Sequence, residues 1–267
     1  MYNFKFHRAH SPADAAAAFA SQGDASYLAG GQTLLASLKL RLARPDTLID
    51  LGRIPELRGI QRLGHGRLAI GSMSTHAQVA SSDVVASSIP ALTELASGIG
   101  APMIRHQGTI GGSIANNDPA ADWPAALLAL DAVVVTDQRR INATDFFLGL
   151  FTTALRPGEL IVSVELAVPT RCAYVKFKHP ASRFALVGVM VADFAGKTRV
   201  AVTGAAACAF RATALEQALD AACQPESLRD VPIDTTEFNA DLQATAAYRG
   251  QLVRVMAQRA VARLVGH

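Results

Sequence analysis

The stretch that most constrains this chain runs from Gly108 to Asp122, GTIGGSIANNDPAAD. It carries small residues, amides and hydroxyls, and almost no bulk. Glycine lets a backbone reach φ > 0 and lets a ligand approach the main chain. Successive N–H groups in such a turn converge into an anion-binding nest. Thr109 and Ser113 add hydroxyls, Asn116 and Asn117 add amides, and Asp118 and Asp122 offer acceptors for sugar hydroxyls. Phosphate on the glycines and a sugar on the acids is one reading. A glycine-rich turn between a strand and a helix is the other, and alone the stretch supports both equally.

A second glycine run shifts that balance. In Ala29-Gly30-Gly31-Gln32-Thr33-Leu34 a short strand, Ser26 to Ala29, meets a double-glycine turn. Leu34, Leu35, Leu38 and Leu42 then recur at helical spacing. A strand, a glycine turn and a helix start present free N–H groups to an anion. Two such loops suit a ligand with two phosphates.

Together, AGGQTLLASLKLR and GTIGGSIANNDPAADWP resemble the FAD-binding medium subunit of the molybdenum hydroxylases, the family of carbon monoxide, xanthine, nicotine and aldehyde dehydrogenases. The resemblance runs from Phe4 to about Leu264 and keeps the order and spacing of both loops. It implies an α+β fold: a two-subdomain FAD-binding α/β region of the PCMH type, then a C-terminal domain of antiparallel sheet plus helices. FAD would lie extended between the subdomains, its pyrophosphate on the amides of Gly30 to Thr33 and Thr109 to Ser113.

The cofactor-binding set implied is Ala29, Gly30, Gly31, Gln32, Thr33 and Leu34 from the first loop. From the second come Thr109, Ile110, Gly111, Gly112, Ser113, Asn116, Asp118 and Asp122, with Ile161 and Lys176 from later strands. A Cβ at Gly111 or Gly112 is then expected to collide with the pyrophosphate. Asp122 carries two compatible readings, N-cap of the following helix and ribityl or ribose ligand. Relatives often carry an Asp just before the Ala of the strand that follows Tyr-x-Lys. Here Tyr174-Val175-Lys176 is kept, but Arg183-Phe184-Ala185 stands at that point.

The resemblance implies two partners, a large subunit with the molybdenum cofactor and a small subunit with 2Fe–2S clusters. This chain would pass their electrons through FAD to an outside acceptor such as NAD, oxygen or a quinone. A stand-alone flavin oxidoreductase of the same wider fold and a non-catalytic nucleotide-binding assembly module remain as alternatives. No Ser/His/Asp order, carboxylate pair or metalloprotease motif is legible, which fits chemistry that belongs to a cofactor. His76 reads as a capping or core residue, and His106 is not assigned as a base.

Composition narrows the rest. A chain of 267 residues is comfortable for two domains. A net charge of +3 argues against nucleic-acid binding. No apolar run approaches the ~18–20 residues of a membrane span. The N-terminus reads as a helix with Ser11 as N-cap and Pro12 in its first turn, not as a secretory signal, so a cytoplasmic protein is expected. Cys172, Cys208 and Cys223 have no C-x-x-C spacing, and neither a disulfide nor a protein-held cluster is expected. Composition shifts after Pro169, which places domains at 1–170, with subdomains of about 1–55 and 56–170, and at 171–267.

Overall fold

The computed structural model describes residues 1–266. Its first 50 residues form a β-α-β-α-β unit. The strands Lys5–Arg8, Ala25–Leu28 and Thr47–Asp50 make a parallel sheet with Thr47–Asp50 in the middle. The connecting helices are Pro12–Ala20 and Leu34–Lys39. Ser11 caps the first, its hydroxyl accepting from the Asp14 amide at 3.1 Å.

A five-stranded antiparallel sheet follows, in the order Ile60–Leu63, Arg67–Gly71, Ile161–Ala167, Val133–Thr136, Arg140–Asn142. Seven helices lie between its strands among the described residues. Two of them, Asp83–Ser88 and Pro102–Gln107, are too short to show a periodic pattern in sequence. A capped start betrays the first, where Ser82 accepts from the Val85 amide, and the second begins on proline.

The third sheet is antiparallel, ordered Arg171–Lys178, Ala185–Phe194, Lys197–Thr203, Phe210–Arg211. Its second strand is buried on both faces, which is why it reads as an unbroken apolar run. Val187, Val189 and Val191 face the long helix Ala246–Val265. Met190 and Ala192 face the other way, into the core built around Trp123. The C-terminal sheet therefore shares one core with the middle of the chain, and its strand ends are fixed against the glycine-rich stretch. The Thr203 hydroxyl donates to the carbonyls of Pro119 and Ala121 at 2.9 and 2.7 Å, and the Gly204 amide donates to that of Pro119 at 2.7 Å.

The glycine-rich stretch is not an open loop. Ile110–Asn116 is a helix, capped by the Thr109 hydroxyl, which accepts from the Gly112 amide. It ends on Asn117 in the left-handed region, φ 44°. Asn117 is fully buried, its amide nitrogen donating to the carbonyls of Gly149 and Thr152.

Candidate cofactor-binding site

Both glycine runs open onto one cavity of about 1070 Å³, at the upper end of the ~300–1,000 Å³ usual for small-molecule sites. They touch each other. A Cβ on Gly30 would run into the carbonyl oxygen of Gln107 and lie 2.8 Å from the Gly108 Cα. Glycine at position 30 is thus required by backbone contact with the second run.

The two runs differ in what they offer. In the first, none of the five amides from Gly30 to Leu34 finds an acceptor among the described residues. Gly31 bends the chain at φ 68°, and the helix Leu34–Lys39 begins straight after. Consecutive unsatisfied amides around a left-handed residue form an anion nest. In the second run the amides are already used. Ile110 donates to the Ser74 carbonyl, Gly111 to that of Ser72, Gly112 to the Thr109 hydroxyl and Ser113 to the Thr109 carbonyl. Shared amide binding by both loops is therefore corrected. The second run contributes the Thr109 amide and side chains, because Ile110 and Gly111 tie it to Ser74 and Ser72, and Gly112 and Ser113 close onto Thr109. Gly111 is small for the same reason. A Cβ there would lie 2.6 Å from the Ser72 Cβ and 2.7 Å from its carbonyl oxygen, so it would meet protein and not a phosphate.

Of the residues implied by the sequence, Ala29, Gly30, Gln32, Thr33, Leu34, Thr109, Gly111, Gly112, Ser113, Asn116, Asp118, Asp122 and Ile161 line the cavity. Gly31, Ile110 and Lys176 do not. Gly31 sets the turn, with the Leu28 and Leu35 side chains against it. Ile110 is fully buried in the core. Lys176 lies behind Asp122, and its ammonium donates to both carboxylate oxygens at 2.8 and 2.9 Å.

Asp122 occupies the N-cap position of the helix Trp123–Ala129, but its side chain caps nothing. The capping reading fails because Lys176 and Tyr174 claim the carboxylate, the Tyr174 hydroxyl donating at 2.5 Å. All three side chains are buried. Burial pushes the Asp122 carboxyl up from the usual range, opposed by the Lys176 ammonium and the Tyr174 hydroxyl. Burial and the Asp122 charge push the Tyr174 phenol well up, so it remains a donor.

Other residues also line the cavity, of which Phe19, Tyr27 and Ser72 carry no sequence signal. Phe19 and Tyr27 come from the first unit of sheet and helix, Ser72 and His76 from the central part of the chain, and Arg183 and Phe184 from the turn between two C-terminal strands. The Ser72 hydroxyl is buried and has no partner among the described residues. A buried orphan hydroxyl on a cavity wall fits a polar ligand. With the free amides of Gly30–Leu34, it matches a phosphate-bearing cofactor. Glu159 also lines the cavity, but it is saturated. Against its burial, Arg139, the Arg156 amide and Thr136 hold its carboxyl down to about 2.

Comparison with known proteins agrees with this geometry. The family model described as "FAD binding domain in molybdopterin dehydrogenase" matches residues 2–170. The chain is 36% identical to the carbon monoxide dehydrogenase medium chain of Hydrogenophaga pseudoflava, over 97% of this chain and 96% of that one. It is 32% identical to the nicotine 6-hydroxylase medium subunit of Paenarthrobacter nicotinovorans, over 93% and 92%. Its fold superposes on a chain of reconstituted CO dehydrogenase from Oligotropha carboxidovorans with a TM-score of 0.92, at 32% identity and covering 99% of this chain and 98% of that one. Site and fold define an FAD-dependent oxidoreductase subunit. The chain belongs to the family of FAD-binding medium subunits of the molybdenum hydroxylases.

Proposed function

We propose that this chain is the electron-output subunit of a three-subunit molybdenum hydroxylase. The observation that carries the reading is the match to dehydrogenase medium chains along nearly their whole length. In this reading a large subunit with the molybdenum cofactor oxidises the substrate. A small subunit with 2Fe–2S clusters relays the electrons here, and NAD, oxygen or a quinone takes them away. FAD supplies the switch between one- and two-electron chemistry.

The protein's own share is binding and positioning. The Gly30–Leu34 amides hold the diphosphate. Ser72, Thr109, Ser113 and Asn116 bond the polar linker, and Asp118 and Asp122 take its hydroxyls. The apolar wall that includes Ile99, Ile104 and Ile161 keeps water from the ring system. Arg183 and Phe184 stand at the edge of the cavity, where the relatives' usual acid is replaced by a cation beside an exposed aromatic ring.

Co-expression tests the reading. With a molybdenum subunit and an iron–sulfur subunit, the chain should copurify and its flavin should be reduced when substrate is added. Alone, it should reduce dyes when given a reductant but leave organic substrates untouched. Substrate turnover by the isolated chain at the rate of the complex would instead make it a stand-alone flavoenzyme.

A further inference from the structure

We propose that His76 is a cofactor-binding residue, its Nε2–H donating a hydrogen bond to the diphosphate of the bound dinucleotide. The inference deepens the cofactor site described above and rests on FAD occupying that cavity.

His76 opens the helix His76–Ala80, whose N-cap Thr75 forms a capping box with Gln78. The residue is buried, with 5% exposed, yet it lines the cavity. Its Nδ1 lies 3.1 Å from the indole nitrogen of Trp123, which is fully buried. An indole N–H only donates, so Nδ1 must accept and the ring proton sits on Nε2. Nε2 makes no hydrogen bond among the described residues, and the ring lines the cavity.

The ring is held in place as well as in tautomer. The His76 amide donates to the Gly108 carbonyl at 2.9 Å. A Cβ on Gly108 would lie 2.9 Å from Nε2 and 3.0 Å from Cδ2, so the imidazole edge lies against that glycine. Gly108 in turn contacts Gly30, the first residue of the nest. The unpartnered donor therefore stands one glycine away from Gly30 and lines the same cavity. Burial, with the Arg105 charge, pushes the imidazole down to about 4. At neutral pH it is an uncharged donor of fixed direction, like the amides of the nest.

The test uses the full-length chain stripped of flavin, with FAD and ADP as titrants. His76→Phe should raise Kd for both by about 10- to 100-fold, the loss of one hydrogen bond to a charged acceptor. His76→Gln restores an N–H near the Nε2 position and should bring both within about threefold of the parent. The double variant His76→Phe/Trp123→Phe removes the orphaned indole donor, so that the fold carries no unpaired group. It should stay as weak as His76→Phe.

Recovery of parental affinity in the double variant would mean that the loss came from the unpaired tryptophan, and would overturn the inference. Weaker FAD with unchanged ADP would move His76 to the flavin end and overturn the diphosphate assignment. Unchanged Kd for both in a folded His76→Phe protein would overturn it outright. Failure of the parent chain to bind FAD at all would remove the cofactor site itself, a separate result.

Discussion

Gly30→Ala is expected to strip the protein of flavin, with FAD per chain falling more than tenfold in purified material. The added methyl would enter the carbonyl of Gln107 and press on the Gly108 Cα. Both are backbone atoms that cannot swing aside. Relief requires the two glycine runs to separate, and that moves the Gly30–Leu34 amides away from the Thr109, Ser113 and Asn116 side chains opposite. Overpacking of this kind costs about 1–3 kcal/mol, so the fold should survive while the cavity does not. Gly64→Ala is the control, because no atom lies within 4 Å of a Cβ there. It should purify with full flavin. Absorbance at 450 nm against protein concentration reads both variants. Normal flavin in Gly30→Ala would show that contact between the runs does not shape the site.

Lys176→Met should have the larger effect on stability. It leaves the Asp122 carboxylate buried, with the Tyr174 hydroxyl as its remaining side-chain donor. Breaking a buried pair on one side costs about 3–5 kcal/mol. At roughly 2–4 °C per kcal/mol for a chain of this size, Tm should fall by about 6–20 °C. Removing the charge from both sides, in Asp122→Asn/Lys176→Met, should recover most of that loss, since an amide still accepts from Tyr174. Thermal melts of both proteins check this. A single variant as stable as the parent would mean that the pair is not buried in solution. The double variant also separates roles. Asp122 lines the cavity and Lys176 does not, so flavin retention should follow changes at position 122.

Much of this was readable in the residues. Leu34, Leu35 and Leu38 announce their helix, and the apolar run at Ala185–Phe194 announces a strand covered on both sides. The double glycines of both runs mark the cavity. What the sequence hides is partnership. GTIGG reads as free amides, yet Ser72, Ser74 and Thr109 take three of them, and those acceptors include residues some 40 positions upstream. Asp122 sits where a capping acid belongs. Only the later strand Arg171–Lys178, placed beside the start of the helix Trp123–Ala129, brings Tyr174 and Lys176 onto its carboxylate. His76 reads as a core histidine, and it is one. Its cavity role depends on an indole 47 residues away that no local pattern reveals.

The central claim is that the cavity between the glycine runs holds FAD without a covalent bond. Both candidate nucleophiles on its wall are disarmed. Nδ1 of His76 is engaged by Trp123, and Nε2 carries the proton. The Tyr27 hydroxyl donates to the Gly158 carbonyl, and burial pushes its phenol up to about 12. Acid precipitation followed by chromatography of the supernatant tests the claim most directly. One FAD per chain should be released, leaving a colourless pellet. Flavin retained in the pellet, or FMN in place of FAD, would contradict the account.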